Sequence, residues 1–210
     1  PMRCLYCHNR DTWDKNAGHE VTVNDLMTDV VSYKRFLLPN KGGVTASGGD
    51  PLLQAEFVTE WFKVCHKEGI TTCLDTNGLR KIDNSVEALL AETDLVLLDL
   101  KQINNEIHKK LTGVSNETVL DFARYLQKIN KPTWIRYVVV PGWTDDDASA
   151  RLLGQFIKDM ANVQKVEILP YHKMGAHKWE MMGEKYILEG VQAPSKESVE
   201  HIKKIVMNPE

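Results

Sequence analysis

The run Cys4-Leu5-Tyr6-Cys7-His8 places two thiols three residues apart, a spacing that lets a pair of thiolates grip one metal ion or one cluster. Four chemistries compete for it: a zinc site, a redox disulfide, an iron-sulfur cluster, and attachment of a c-type haem, whose Cys-x-x-Cys-His pattern the string satisfies. No second Cys or His pair at finger spacing follows, which argues against structural zinc. The other two cysteines, Cys65 and Cys73, fall in a helical and a strand-like run and read as small buried apolar groups.

A second set of chemical residues sits at the ends of apolar runs. In 95–101, a period of two puts Leu95, Leu97, Asp99 and Lys101 on one face, so an acid and a base emerge together at the carboxyl end. The run 71–78 does the same with Asp75 and Asn77, Arg136 lies within 135–140, and His172 ends the run that begins near Lys165. Any one of these charges alone could be a structural ion pair or brace. Four runs placing polar groups at corresponding ends point to a site. The run at 44–49 leads into Gly48-Gly49-Asp50-Pro51, where glycines would let a ligand approach the backbone closely, although a plain turn has the same composition.

These groups need elements to hold them. The runs 44–49, 71–78, 95–101, 133–142 and 165–172 are rich in Val, Ile, Leu and Thr and read as five strands. Between them lie helical spacings: Leu26, Val30, Tyr33 and Leu37; Phe57, Trp61 and Val64; Val86, Leu89 and Leu90; Leu120, Ala123 and Leu126; Leu152, Phe156 and Met160. A last helix is expected over 199–207. Thr22, Ser115, Thr144 and Ser195 stand where an N-cap hydroxyl would accept a free backbone N–H. Strands alternating with helices imply right-handed crossovers and a parallel sheet, whose carboxyl end is where loops build a site.

The 210 residues are 42% apolar, enough for one sizeable core, and no composition shift marks a boundary, so one domain over 1–210 is expected. Twenty-six Lys and Arg stand against 29 Asp and Glu, a net charge of −3 with no basic stripe, which argues against a nucleic-acid partner. No apolar run reaches membrane-spanning length and no leader-like stretch is seen, so a cytoplasmic protein is expected. Pro1 is not an initiator residue, and a preceding segment is expected. The loops 8–20 and 175–190 are candidates for mobile or partner-contacting segments, with Trp179, Met181 and Met182 as either docking or packing groups.

Cys4-x-x-Cys7 with the aromatic Tyr6 before its second cysteine, followed by a strand ending Ser47-Gly48-Gly49-Asp50-Pro51, resembles the radical S-adenosylmethionine superfamily, whose motif is C-x3-C-x2-C. Cys4 and Cys7 match the second and third cysteines. The first would fall immediately before Pro1, so the chain as given is expected to bind iron poorly. The strings CLYCHNRDTW at 4–13, CLDTNG at 73–78, LDLK at 98–101, WIRYVVVPG at 134–142 and LPYH at 169–172 narrow the resemblance to the activases of glycyl radical enzymes, over essentially the whole chain.

The resemblance implies an α/β fold, a partial (β/α)6 TIM-like barrel here lacking its first strand. It implies a [4Fe-4S] cluster that reductively cleaves S-adenosylmethionine to methionine and a 5'-deoxyadenosyl radical, which takes hydrogen from a glycine of a partner of the pyruvate formate-lyase type. A flavodoxin- or ferredoxin-type electron donor and a monomeric state are implied as well. Carried over residue by residue, Cys4 and Cys7 ligate the cluster, with His8 and Asn9 beside it. Gly48, Gly49 and Asp50 meet the methionyl amino group, and the backbone of Tyr6 meets the adenine. Asp75, Lys101 and His172 surround the S-adenosylmethionine, with Arg136 a further candidate in that pocket. Asp75, Thr76 and Asp99 are candidates to hold a monovalent cation. Asp50 departs from the Glu usual in the superfamily, shortening the reach of the acid by one methylene. Two other readings stay open: an activase for a different glycyl radical enzyme, and a non-catalytic barrel that uses Cys4 and Cys7 for zinc.

Overall fold

The computed structural model describes residues 2–14 and 18–210. Its five strands are β1 (Gly43–Ala46), β2 (Thr71–Thr76), β3 (Leu95–Asp99), β4 (Thr133–Val139) and β5 (Val163–Pro170). They lie side by side in sequence order, every pair parallel. The alternation of strands and helices implies a parallel sheet, and the sheet with its crossover helices is consistent with the partial barrel that the resemblance implies.

Before the sheet come α1 (Val23–Ser32) and α2 (Lys34–Leu37). The crossovers are α3 (Ala55–Lys67), α4 (Asn84–Ala91), the pair α5 (Asn105–Thr112) and α6 (Glu117–Lys128), and α7 (Asp147–Ile157). Beyond β5 lie α8 (Ala176–Met181) and α9 (Lys196–Met207).

Side-chain alternation divides the sheet into two faces. Leu74, Val96, Leu98, Ile135, Tyr137 and Val139 are all fully buried and join one core with Val58 and Phe62 of α3, Leu89 of α4, Phe122 and Leu126 of α6 and Leu153 of α7. Each such large side chain contributes roughly 1.5–3 kcal/mol by burial. The opposite face carries Cys73, Asp75, Leu97, Asp99, Trp134 and Arg136, all only half-buried. Cys73 therefore shares the face of Asp75 and is not the enclosed apolar thiol expected, whereas Cys65 is fully buried against Met27.

Local chemistry sets the helix starts. Thr22 forms a complete capping box with Asp25, and Ser195 accepts from the Ser198 N–H. The other two expected caps are displaced. Asp146 caps α7, because the Thr144 hydroxyl is drawn back to the end of β4, donating to the Val138 carbonyl and accepting from the Val140 N–H. Asn116 occupies the cap position of α6, with Ser115 contributing only a 3.3 Å contact from the Glu117 N–H. The helical pattern read across 26–37 divides at Tyr33 into two helices, and α5, which that reading lacks, stands before α6.

Candidate active site

The two-thiol turn is held against the last turn of α5. The N–H groups of Arg3 and Leu5 donate to the carbonyls of Thr112 and Leu111 at 2.7 and 2.9 Å, and Cys7 N–H closes back on the Cys4 carbonyl at 3.1 Å. Cys4 is buried, and burial pushes its thiol up to about 11, with the Lys101 charge pulling the other way. Lys101 also lies 5.7 Å from the centre of the Tyr6 ring. Burial tends to lower the Lys101 ammonium, but Asp99, Tyr6 and Cys4 together outweigh it and hold Lys101 above its ordinary range.

At the strand ends the expected charges converge. Arg136 pairs with Asp75, and its Nε donates to Asp99 at 2.8 Å. Lys101 Nζ donates to the other Asp99 oxygen at 2.7 Å, and Ser47 donates to Asp75 at 3.0 Å. Burial works to raise the Asp99 carboxyl, but Lys101 and Arg136 prevail and hold it below the usual range. His8 Nε2 donates to the His172 carbonyl at 3.0 Å, and the two rings meet at a tilt of 31° with centroids 4.3 Å apart.

These groups line one cavity of about 670 Å³, with Cys4, Tyr6, Cys7, Asn9, Gly48, Gly49, Asp50, Asp75, Thr76, Asp99, Lys101, Arg136 and His172 all on its wall. Gly48 needs its φ of +118°, and a Cβ there would meet nothing within 4 Å, so its backbone is open to approach.

Two sets of expected ligand-binding side chains are also engaged by the fold itself. The Asp50 carboxylate is engaged by the fold: it accepts from the Leu52 N–H at 3.0 Å, from the Asn77 N–H at 2.9 Å and from the Thr76 hydroxyl at 2.9 and 3.0 Å. One methylene shorter than Glu, it ties the β1 turn to the end of β2. The side chains of the suggested cation site have protein partners as well. Thr76 alternates to the buried side and gives its proton to Asp50, while the Arg136 guanidinium occupies the space between Asp75 and Asp99. Among the described residues, no three His, Cys, Asp or Glu side chains form a metal-holding group.

The structure adds partners that the motifs omit. Trp179 is buried, its indole N–H donating to the Cys7 carbonyl at 2.9 Å, and Lys178 reaches Asn9 and Asp11. Met181 remains 79% exposed. A large aromatic inside the polar stretch 173–185 was the one available signal for the buried group.

A parallel half-barrel with a two-thiol turn at the carboxyl ends of its strands is the architecture of a radical S-adenosylmethionine enzyme. The profile of the radical SAM superfamily matches residues 1–153, and the chain belongs to that superfamily. It is 61% identical over 206 residues to the pyruvate formate-lyase 1-activating enzyme of Escherichia coli (strain K12), spanning 98% of this chain and 84% of that protein. It is 46% identical over 204 residues to the pyruvate formate-lyase-activating enzyme of Staphylococcus aureus (strain USA300), spanning 94% and 81%. Among solved structures, a domain of the pyruvate-formate lyase-activating enzyme from Bacteroides vulgatus ATCC 8482 matches with a TM-score of 0.67 at 27% identity, over 80% of this chain and 94% of that one.

The cofactors are accordingly a [4Fe-4S] cluster and S-adenosylmethionine. The residues present fit them. Cys4 and Cys7 supply two thiols on the cavity wall, Tyr6 Oη is a buried polar atom on that wall with no partner among the described groups, and the cavity volume suits a ligand of this size. No helix of the described residues is long and apolar enough to cross a membrane.

Proposed function

We propose that this chain, acting in the cytoplasm as a one-domain monomer, activates a pyruvate formate-lyase by abstracting hydrogen from a glycine of that partner. A flavodoxin- or ferredoxin-type protein would supply the electron. The observation that carries the reading is the convergence of Cys4, Cys7, Asp75, Asp99, Lys101 and Arg136 on one cavity. Held by Cys4 and Cys7, a reduced [4Fe-4S] cluster would supply the electron for reductive cleavage of the sulfonium of S-adenosylmethionine to methionine and the 5'-deoxyadenosyl radical that would take the glycine hydrogen.

The chain's own residues bind and orient. Cys4 and Cys7 hold the cluster, and Asn9 and His8 border it. Lys101 and Arg136 offer cations to the methionyl carboxylate, while Asp75 and Asp99 face its ammonium. Gly48 and Gly49 let the ligand lie against the backbone, with the Tyr6 backbone at the adenine. Asp50 supports these glycines from behind through its bonds to Leu52, Thr76 and Asn77. His172 lines the cavity, and its backbone carbonyl accepts from His8. A wall made of such ion pairs and aromatic rings limits water around the reacting atoms.

The test is electron paramagnetic resonance on chain carrying a cysteine immediately before Pro1, reconstituted anaerobically with iron and sulfide and mixed with reductant, S-adenosylmethionine and pyruvate formate-lyase. A glycyl radical doublet on the partner is expected. Cleavage of S-adenosylmethionine without that doublet would move the target to another protein.

A further inference from the structure

The cluster turn is gripped from a second side, by a segment 164 to 174 residues further along the chain. Five consecutive residues are met in turn. Cys7 receives the Trp179 indole N–H at its carbonyl, and His8 donates to His172. Asn9 accepts from Lys178 at 3.3 Å, Arg10 pairs with Glu184, and Asp11 accepts from Lys178 at 3.0 Å. Gly175 packs so closely that a Cβ there would stand 2.5 Å from the His8 Cα and 2.9 Å from its carbonyl oxygen, both backbone atoms with no freedom to yield.

Trp179 is the fixed point of this grip. Its ring is 2% exposed and is met edge-on by Trp13 at 5.2 Å and by Tyr186 at 5.6 Å. A buried indole has one donor and needs one acceptor. Here the acceptor is the peptide carbonyl of a cysteine in the cluster motif. With the ring immobilised, the direction of that N–H is set, and with it the position of the Cys7 carbonyl oxygen.

We propose that residues 172–184 form a positioning clamp on the cluster turn, and that Trp179, by fixing the Cys7 peptide, sets the direction in which the Cys7 sulfur points. The inference rests on the assignment of Cys7 as a cluster ligand. Trp179 is a positioning residue: its indole acts through the Cys7 backbone.

Trp179→Phe keeps a ring between Trp13 and Tyr186 and deletes only the donor. Hydrogen exchange on the iron-free chain should show amide protection over residues 5–12 falling about tenfold, the loss of one backbone-anchoring hydrogen bond, with the β2–β4 amides unchanged. Tyr186→Phe, which removes a hydroxyl from the same aromatic group, should leave that protection as in the wild type. Gly175→Ala, displacing the His8 backbone without touching the indole, should reproduce the local loss and serves as the second variant if Trp179→Phe does not fold. In chain with a cysteine before Pro1 and a reconstituted cluster, the reduced-cluster resonance with S-adenosylmethionine should shift in Trp179→Phe and not in Tyr186→Phe. Unchanged protection over 5–12, equal loss in Tyr186→Phe, or a wild-type resonance in Trp179→Phe would each overturn the clamp. The exchange arm needs no partner, so it is independent of whether the target is a pyruvate formate-lyase.

Discussion

Replacing Arg136 by Met tests the electrostatic reading of the cavity wall most directly. The guanidinium bridges Asp75 and Asp99, and all three side chains are less than one-fifth exposed. Met fills much of the volume but leaves two acids with Lys101 as their cation. Breaking a buried pair by removing one partner costs roughly 3–5 kcal/mol. For a chain of 210 residues, 1 kcal/mol moves Tm by about 2–4 °C, so a fall of about 6–20 °C is expected at pH 7.5.

The pH dependence fixes the mechanism. Asp99 is held below its unfolded value, so its contribution is present above about pH 3.9 and is lost as pH falls through the folded value. In the variant one of its two cations is gone and its carboxyl rises. Protonation then relieves the variant on acidification, and the stability gap to wild type narrows from pH 7.5 to pH 4.5. Urea unfolding followed by circular dichroism at the two pH values measures the gap. A gap below about 1 kcal/mol at pH 7.5, on the scale of an exposed ion pair, or one equal at both pH values, would refute the bridging role.

Two further outcomes follow from groups whose environment the fold has changed. Asp50→Asn replaces one acceptor oxygen with a donor facing the N–H of either Leu52 or Asn77, and should cost about 1–3 kcal/mol in urea unfolding; an unchanged midpoint would return the side chain to direct ligand contact. Because burial holds the Cys4 thiol up at about 11, metal capture by the two-thiol turn must expel a proton. Cobalt affinity, read from the thiolate charge-transfer band, should therefore rise at least about tenfold per pH unit between pH 6.5 and 8.5, and a flat profile would contradict the buried protonated thiol.

Much of the site was legible because it depends on local periodicity. Alternation along β2, β3 and β4 puts Asp75, Asp99 and Arg136 on one face whatever the rest of the chain does, and parallel pairing in sequence order brings their ends together. What escaped depends on contacts distant in sequence or on polar groups completing a core. Helix α5 offers only Ile107 and Leu111 as apolar residues, and its buried face is finished by His108 and Thr112, bonded to each other and to the Val114 carbonyl. Thr144 was read as a cap because its spacing suits one, yet the end of β4 competes successfully for its hydroxyl. Nothing near Trp179 in the sequence announces that its partner lies at Cys7.

The arrangement of charge explains why such a cavity suits its ligand before the ligand arrives. Asp75 and Asp99 are balanced by Arg136 and Lys101, so the paired wall is neutral and its charges already sit in hydrogen-bonded positions. A methionyl group carries an ammonium and a carboxylate, so it can insert into such a network by exchange of partners, its carboxylate taking a cation and its ammonium an acid, with no charge left uncompensated in a half-buried site. Asp50 adds a further carboxylate just behind the open glycine backbone, against the surplus positive charge that the sulfonium brings. Burial raises that carboxyl above the usual carboxylate range, and its bonds from Asn77, Leu52 and Thr76 only partly oppose the rise. Fixed pairs that trade partners need little reorganisation when charge shifts during reaction, which is the condition for electrostatic preorganisation.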